Sequence, residues 1–100
     1  MTFSNEVLQA VWEKGFIVPG VDANQWRKDA CGAWIERNAY GNRGSSYGWD
    51  VDHITPESRG GSSAIGNLRP LQWENNAARQ AEPLDCVVSS VGNENVRRVR

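Results

Sequence analysis

The chain has 100 residues, 39% of them hydrophobic, with 11 Lys and Arg against 12 Asp and Glu and a net charge of -1. That is one small domain, near neutrality. No run approaches the roughly 20 apolar residues that cross a bilayer, so a membrane-spanning helix is excluded, and a domain this small must draw its core from few residues, chiefly its five tryptophans.

Residues Ser4–Lys14 predict a helix, with Ser4 or Asn5 as cap and Val7, Leu8, Val11 and Trp12 on one apolar stripe. The same opening, without a basic leader and broken by Ser4, Asn5, Glu6 and Gln9, does not read as a signal peptide. Gly15 ends the helix, and Pro19, Gly20 and Asp22 make Phe16–Asn24 a loop, followed by a short helical turn over Asn24–Lys28 anchored by Trp26. Cys31–Glu36 and Trp49–Ile54 predict two strands of one hairpin, joined by the glycine-rich stretch Asn38–Tyr47. Thr55–Gly66, with Pro56, Gly60, Gly61 and Gly66, is a tight exposed loop. Asn67–Leu71 returns as a short strand, and Trp73–Gln80, free of Gly and Pro, as a helix. Residues 1–82 are thus read as a single domain, and 83–100 as a partly flexible extension in which Val87, Val88 and Val91 pack briefly and the chain frays beyond Gly92.

Charge is segregated along the chain. Residues 27–43 carry +2 and 87–100 carry +2, flanking an acidic middle of -2 over 44–61. Cys31 and Cys86 belong to no Cys-x-x-Cys pair, which leaves no ligands for a zinc knuckle. With no export signal, free buried thiols in a reducing compartment are favoured over a single long-loop disulfide, and the protein is expected to be cytoplasmic.

The single histidine, His53, directly follows Asp52 at the end of a predicted strand. Alone, that dipeptide points more often to a structural residue than to a catalytic one. Neighbouring residues of a regular strand face opposite sides, so the two converge on one site only where the strand bends, a break that Pro56 and the glycine loop supply. Downstream stand Arg59-Gly60-Gly61, Asn67-Leu68, Pro70-Leu71 and Asn75-Asn76, ahead of Arg79.

Over Gly48–Gly61 and Asn67–Asn76 this order and spacing resemble the HNH, or ββα-metal, nuclease superfamily, with Asn76 nine positions after Asn67. Trp12-Glu13-Lys14, Pro19-Gly20, Trp26–Asp29 and Cys31–Ile35 extend the likeness to a subgroup of small stand-alone bacterial or phage HNH proteins. The resemblance implies an α+β fold: a ββα-metal motif with an N-terminal helix and a short hairpin. It implies His53 as the general base that activates water, Asn67 as the brace of the loop and the histidine, and Asp52 and Asn76 as ligands of one divalent metal. Arg59 and Arg79 are then the basic residues on the nucleic-acid path.

The chemistry agrees with this casting. Phosphodiester hydrolysis needs a deprotonated water and a cation beside the developing charge, held rigidly. A neutral imidazole accepts a proton near pH 7, and carboxylate and amide oxygens suit Mg²⁺ or Mn²⁺. Many family members brace the motif with zinc held by two Cys-x-x-Cys pairs; here Trp34, Trp49 and Trp73 are expected to brace it as core. Asp50, Asp52 and Glu57 are expected to surround the metal, so that a bound cation reverses the local sign of charge. The implied activity is DNA hydrolysis by a metal-dependent endonuclease. Its rivals are a non-catalytic ββα module that binds nucleic acid or protein, and a nicking subunit active only with a phage or mobile-element partner. A homodimer would let so small a domain cut two strands.

Overall fold

In the computed structural model, which describes residues 2–98, the first element is helix α1 (Asn5–Trp12). The Ser4 side chain accepts the N–H of Val7 at its start, a cap worth about 1 kcal/mol. Its apolar stripe buries Leu8, Val11 and Trp12. Val11 and Trp12 form the core with Ile35, Trp49 and Leu68, and Phe3, Val7 and Val51 pack against it. The Trp12 and Trp49 rings lie 5.5 Å apart at its centre.

Six short strands follow in three antiparallel pairs: β1 (Trp26–Lys28) with β2 (Trp34–Glu36), β3 (Trp49–His53) with β4 (Leu68–Gln72), and β5 (Val88–Val91) with β6 (Glu94–Arg97). Helix α2 (Trp73–Arg79) begins directly after β4, with the Gln72 side chain accepting the N–H groups of Glu74 and Asn75. Two helices and short antiparallel pairs make this a small α+β fold.

Four expectations are corrected. The helical turn over Asn24–Lys28 is strand β1 from Trp26 onward, because pairing with Trp34–Glu36 outweighs local turn signals. The segments containing β2 and β3 do not pair with each other; each takes its own neighbour in sequence. Instead of fraying beyond Gly92, the chain turns there and forms β6, its Asn95 side chain bonded to the backbone of Trp34 and Ser46. Finally, Cys31 and Cys86 are joined in a disulfide, with Cα atoms 5.4 Å apart across 55 residues of sequence. By chain entropy, closing a loop of that length stabilises the fold by about 4 kcal/mol.

The disulfide lies beside a buried polar knot. Asp29 is 2% exposed; its Oδ1 accepts the N–H groups of Cys31 and Ala33, and its Oδ2 accepts that of Gln72 and the side-chain amide of Asn75. Asn75 in turn accepts the N–H groups of Val87 and Val88. One carboxylate and one amide thus tie the turn before β2, the start of α2 and the start of β5. Burial pushes the Asp29 carboxyl above the usual carboxylate range, outweighing the hydrogen bonds from Gln72, Ala33, Asn75 and Cys31 that pull it down. Together with the disulfide and the buried Trp34 and Trp49, this knot braces the strands; Trp73, expected with them as core, is only half-buried and donates its indole N–H to the Ser45 carbonyl.

Candidate functional site

Strand β3 is regular through His53, whose register partner on β4 is Leu68, while Asp52 stands opposite Arg69. Its side chains therefore alternate between two faces. Trp49, Val51 and His53 turn toward α1: Trp49 meets Trp12, Val51 packs on the core, and the His53 ring lies 6.4 Å from that of Phe3. Asp50 and Asp52 turn toward α2, where Asn76 donates to Asp50 at 3.2 Å and Arg79 donates to Asp52 at 2.7 Å. The expected bend that would bring Asp52 and His53 to one face is absent from the strand itself; the chain turns only after it.

That turn is closed by Asn67. Its Oδ1 accepts the N–H of Thr55, and its Nδ2 donates to the carbonyls of Thr55 and Ser62. Inside this neck the loop makes a tight turn at Gly60, which holds φ +86°, while a Cβ on Gly61 would sit 1.8 Å from the Thr55 carbonyl oxygen. Both positions thus require glycine. The closed loop presents Ser63, whose Oγ lies 3.0 Å from His53 Nε2. Asn67 therefore acts on the imidazole through the loop that carries Ser63, rather than by touching it.

Asp52 is 4% exposed and bound by two guanidiniums: Arg69 Nε on Oδ2 and Arg79 Nη1 on Oδ1, each at 2.7 Å. Arg79 also donates to the carbonyls of His53, Ile54 and Glu82, and is itself buried. Four of its five N–H groups thus fix the end of β3 against α2, so this residue, expected from the sequence on the nucleic-acid path, is held in the structure as an internal tie. Arg59 is the reverse case, a largely exposed side chain that only skirts Glu82 at 3.8 Å.

Asp52, His53, Glu57, Asn76, Arg79 and Gln80 border one open cleft of about 200 Å³ between the end of β3 and α2. Four of the six residues singled out from the sequence thus border it, although the His53 side chain leaves β3 on the face opposite Asp52; Asn67 stands behind the loop and Arg59 lies on it. The cleft is not the acidic centre expected from the sequence. Arg43 is 2.8 Å from Asp50, and Asp52 carries two arginines, so the carboxylates are already neutralised. Among the described residues no group of three or more His, Cys, Asp or Glu side chains converges.

The donor set nevertheless fits a hard divalent cation in type. Asp52, Glu57 and the Asn76 amide are oxygen donors bordering one cleft. Each carboxylate oxygen of Asp52 has two lone pairs, and the structure assigns one guanidinium to each. In charge the set is balanced, so a cation there would need the oxygens of an anionic ligand to complete its shell. Sequence reasoning placed Asp50 near the site but missed its pairing with Arg43, and it missed Ser63 and Arg69 altogether. No local motif marks them; only the β3–β4 register and the loop closure bring them to the site.

Compared with family models, with curated proteins and with solved structures, the chain finds no match.

Proposed function

We propose that this chain is a metal-dependent endonuclease of the HNH, ββα-metal type, which hydrolyses DNA phosphodiester bonds with His53 as general base. The observation that carries the reading is the spacing of Asp52-His53, Asn67 and Asn76, combined with a strand pair and helix that border one cleft with three of these four residues. His53 takes a proton from the attacking water as the water oxygen bonds to phosphorus; the P–O bond to the leaving oxygen breaks, and that oxygen is protonated by solvent. Ser63 orients the ring and Asn67 fixes the loop behind it. Asp52 and Asn76 would hold the cation, Mg²⁺ or Mn²⁺, which when bound offsets charge on the scissile phosphate. Arg59 supplies an exposed cation for the flanking backbone.

Incubation with supercoiled plasmid and Mg²⁺ or Mn²⁺ tests this. His53→Ala should lower the nicking rate by about 10²–10⁴-fold, the usual worth of a positioned base. Equal nicking by the variant would remove His53 from the role.

The neutralised cleft favours a second reading, a module that binds nucleic acid or a protein without cutting. Salt-dependent duplex binding with no cleavage under any divalent metal would select it, and cleavage that appears only on adding a partner, or a second copy of the chain, would select a nicking subunit. For localisation, the Cys31–Cys86 disulfide argues for an oxidising compartment against the cytoplasmic expectation. Among the described residues no helix is long and apolar enough to cross a membrane.

A further inference from the structure

Away from the cleft, a hollow of about 320 Å³ is lined by Val21, Trp26, Trp34, Tyr47 and Asn93. This is the size range of small-molecule sites. Three of the five lining residues are aromatic, and their rings are set as a box: Trp26 stands edge-on to Trp34 at 6.3 Å and to Tyr47 at 5.1 Å, both at 89°. The walls are held from behind. The Trp34 indole N–H donates to Gly92, the Trp34 backbone N–H donates to Asn95, and the Tyr47 carbonyl accepts from Glu36. The Trp26 indole N–H and the Tyr47 hydroxyl, by contrast, have no hydrogen-bond partner within the described residues. An apolar box with unspent polar groups at its rim is formed before any ligand arrives.

The charge beside it narrows the ligand. Trp26 and Lys28 share a face of β1, and Lys28 Nζ lies 4.9 Å from the centroid of Trp34, its register partner on β2. Trp34 is thus already engaged by a cation, and a second, ligand-borne cation would be repelled. Glu36, the other charge on that face and the register partner of Trp26, lies outside the lining, as Lys28 does; what distinguishes Lys28 is its place over the Trp34 ring. A neutral flat ring attached to an anion fits both features, the ring between aromatic walls and the anion on Lys28.

We infer that this hollow is a binding site for one unstacked nucleobase of a nucleic-acid strand, with Lys28 on its phosphate. The choice of nucleic acid rests on the nuclease reading; the shape of the site does not. Tyr47 precedes β3 by two residues and His53 ends it, so the hollow and the cleft lie toward opposite ends of one strand, roughly 20 Å apart along it. A strand seated in the hollow would be held at a distance from the cleft.

The experiment uses the full chain carrying His53→Ala, in metal-free buffer, and a fluorescein-labelled oligodeoxythymidylate of about ten nucleotides followed by anisotropy. An abasic oligomer of equal length should bind about 5- to 150-fold more weakly, the range that loss of a base–aromatic stack gives. Trp26→Leu should weaken the thymidylate by a similar factor, and Tyr47→Leu gives the same reading should Trp26→Leu fail to fold. Lys28→Ala should flatten the salt dependence. Equal affinity for the abasic oligomer, or unchanged binding by folded Trp26→Leu and Tyr47→Leu, would overturn the assignment. So would displacement of the thymidylate by tetramethylammonium, which would make the hollow a cation cage instead. Nicking by the parent chain is scored separately: base-dependent binding without nicking removes the nuclease reading alone, and nicking with base-independent binding removes the hollow alone.

Discussion

Asp29 and Asp52 are both buried carboxylates, at 2% and 4% exposure, yet they are surrounded in opposite ways. Asp29 accepts four N–H groups from neutral donors and, among the described residues, forms no ion pair. Asp52 accepts from two guanidiniums, one of them on a partly exposed arginine, and borders an open cleft. The first arrangement fixes geometry: each donor belongs to a segment that must stay where it is, and nothing mobile could replace it. In the second, one cation is held beside solvent and could yield part of its hold to another. Two acidic residues of equal burial thus differ in whether their partners are exchangeable, and that difference, more than burial, marks Asp52 as the candidate for function.

The largest expected effect tests the charged half of this contrast. Asp52→Ala leaves Arg79 buried with its main counter-charge gone, and should cost about 3–5 kcal/mol, as removal of one partner from a buried ion pair does. Urea unfolding of the variant measures it. A loss below about 1 kcal/mol would mean that water already satisfies both arginines and that Asp52 is no anchor.

Asp29→Asn should cost less, about 2–4 kcal/mol. The new amide offers one acceptor oxygen where two were used, so one pair of donors loses its acceptor at about 1–3 kcal/mol per group, while removal of a buried charge offsets part of that. If this variant proved less stable than Asp52→Ala in the same denaturant series, the ordering of the two sites would be reversed.

Much of this contrast is hidden in the sequence. Helix α1, with its Ser4 cap and its stripe, was legible because local periodicity and tertiary burial agree. The strands flanking the loop and helix α2 were legible for the same reason, since Pro56, Gly60, Gly61 and the Gly-free stretch after Gln72 punctuate them. The Asp52-His53 pair was visible as a motif, but not the two arginines on Asp52, because Arg69 reaches it only through the β3–β4 register and Arg79 only through the packing of α2. Asp29 carried no signal at all. A short polar residue just before Cys31 looks like any turn residue, and two of its four partners lie 43 and 46 positions away. The disulfide stood only as the less favoured alternative for a related reason: Cys86 precedes the Val87 and Val88 N–H groups that Asn75 holds beside the Asp29 turn, a placement no spacing rule encodes.

Arg69→Gln sharpens the claim that one partner of Asp52 is exchangeable. It removes the more exposed guanidinium and leaves Arg79 in place. Mn²⁺ binding, followed by calorimetry, should tighten by up to about fivefold, the scale of one partly exposed ion pair of about 1 kcal/mol. Unchanged or weaker Mn²⁺ binding would show that the cation does not meet Asp52.

The smallest effect isolates the neutral site by its response to pH. Burial raises the Asp29 carboxyl above its unfolded value, so the folded protein holds that proton more tightly than the unfolded chain does. The stabilising contribution is therefore complete below the unfolded pKa and is lost as pH rises through the folded one. Glu74 works in the opposite sense: desolvation pushes its carboxyl up, but hydrogen bonds from Arg97 and Gln72 and the charge of Arg97 bring it below its ordinary value. Its contribution is present above the unfolded pKa and fades on acidification. The two cancel in part in the parent protein, so the measurement is a difference. The stability of the parent over Asp29→Asn should be greatest at acidic pH and shrink as pH rises through the carboxylate range, while its margin over Glu74→Gln should grow. A margin over Asp29→Asn that grows with pH would mean that the four donors outweigh burial, and that Asp29 sits in its knot as a stabilised anion rather than as a carboxyl reluctant to ionise.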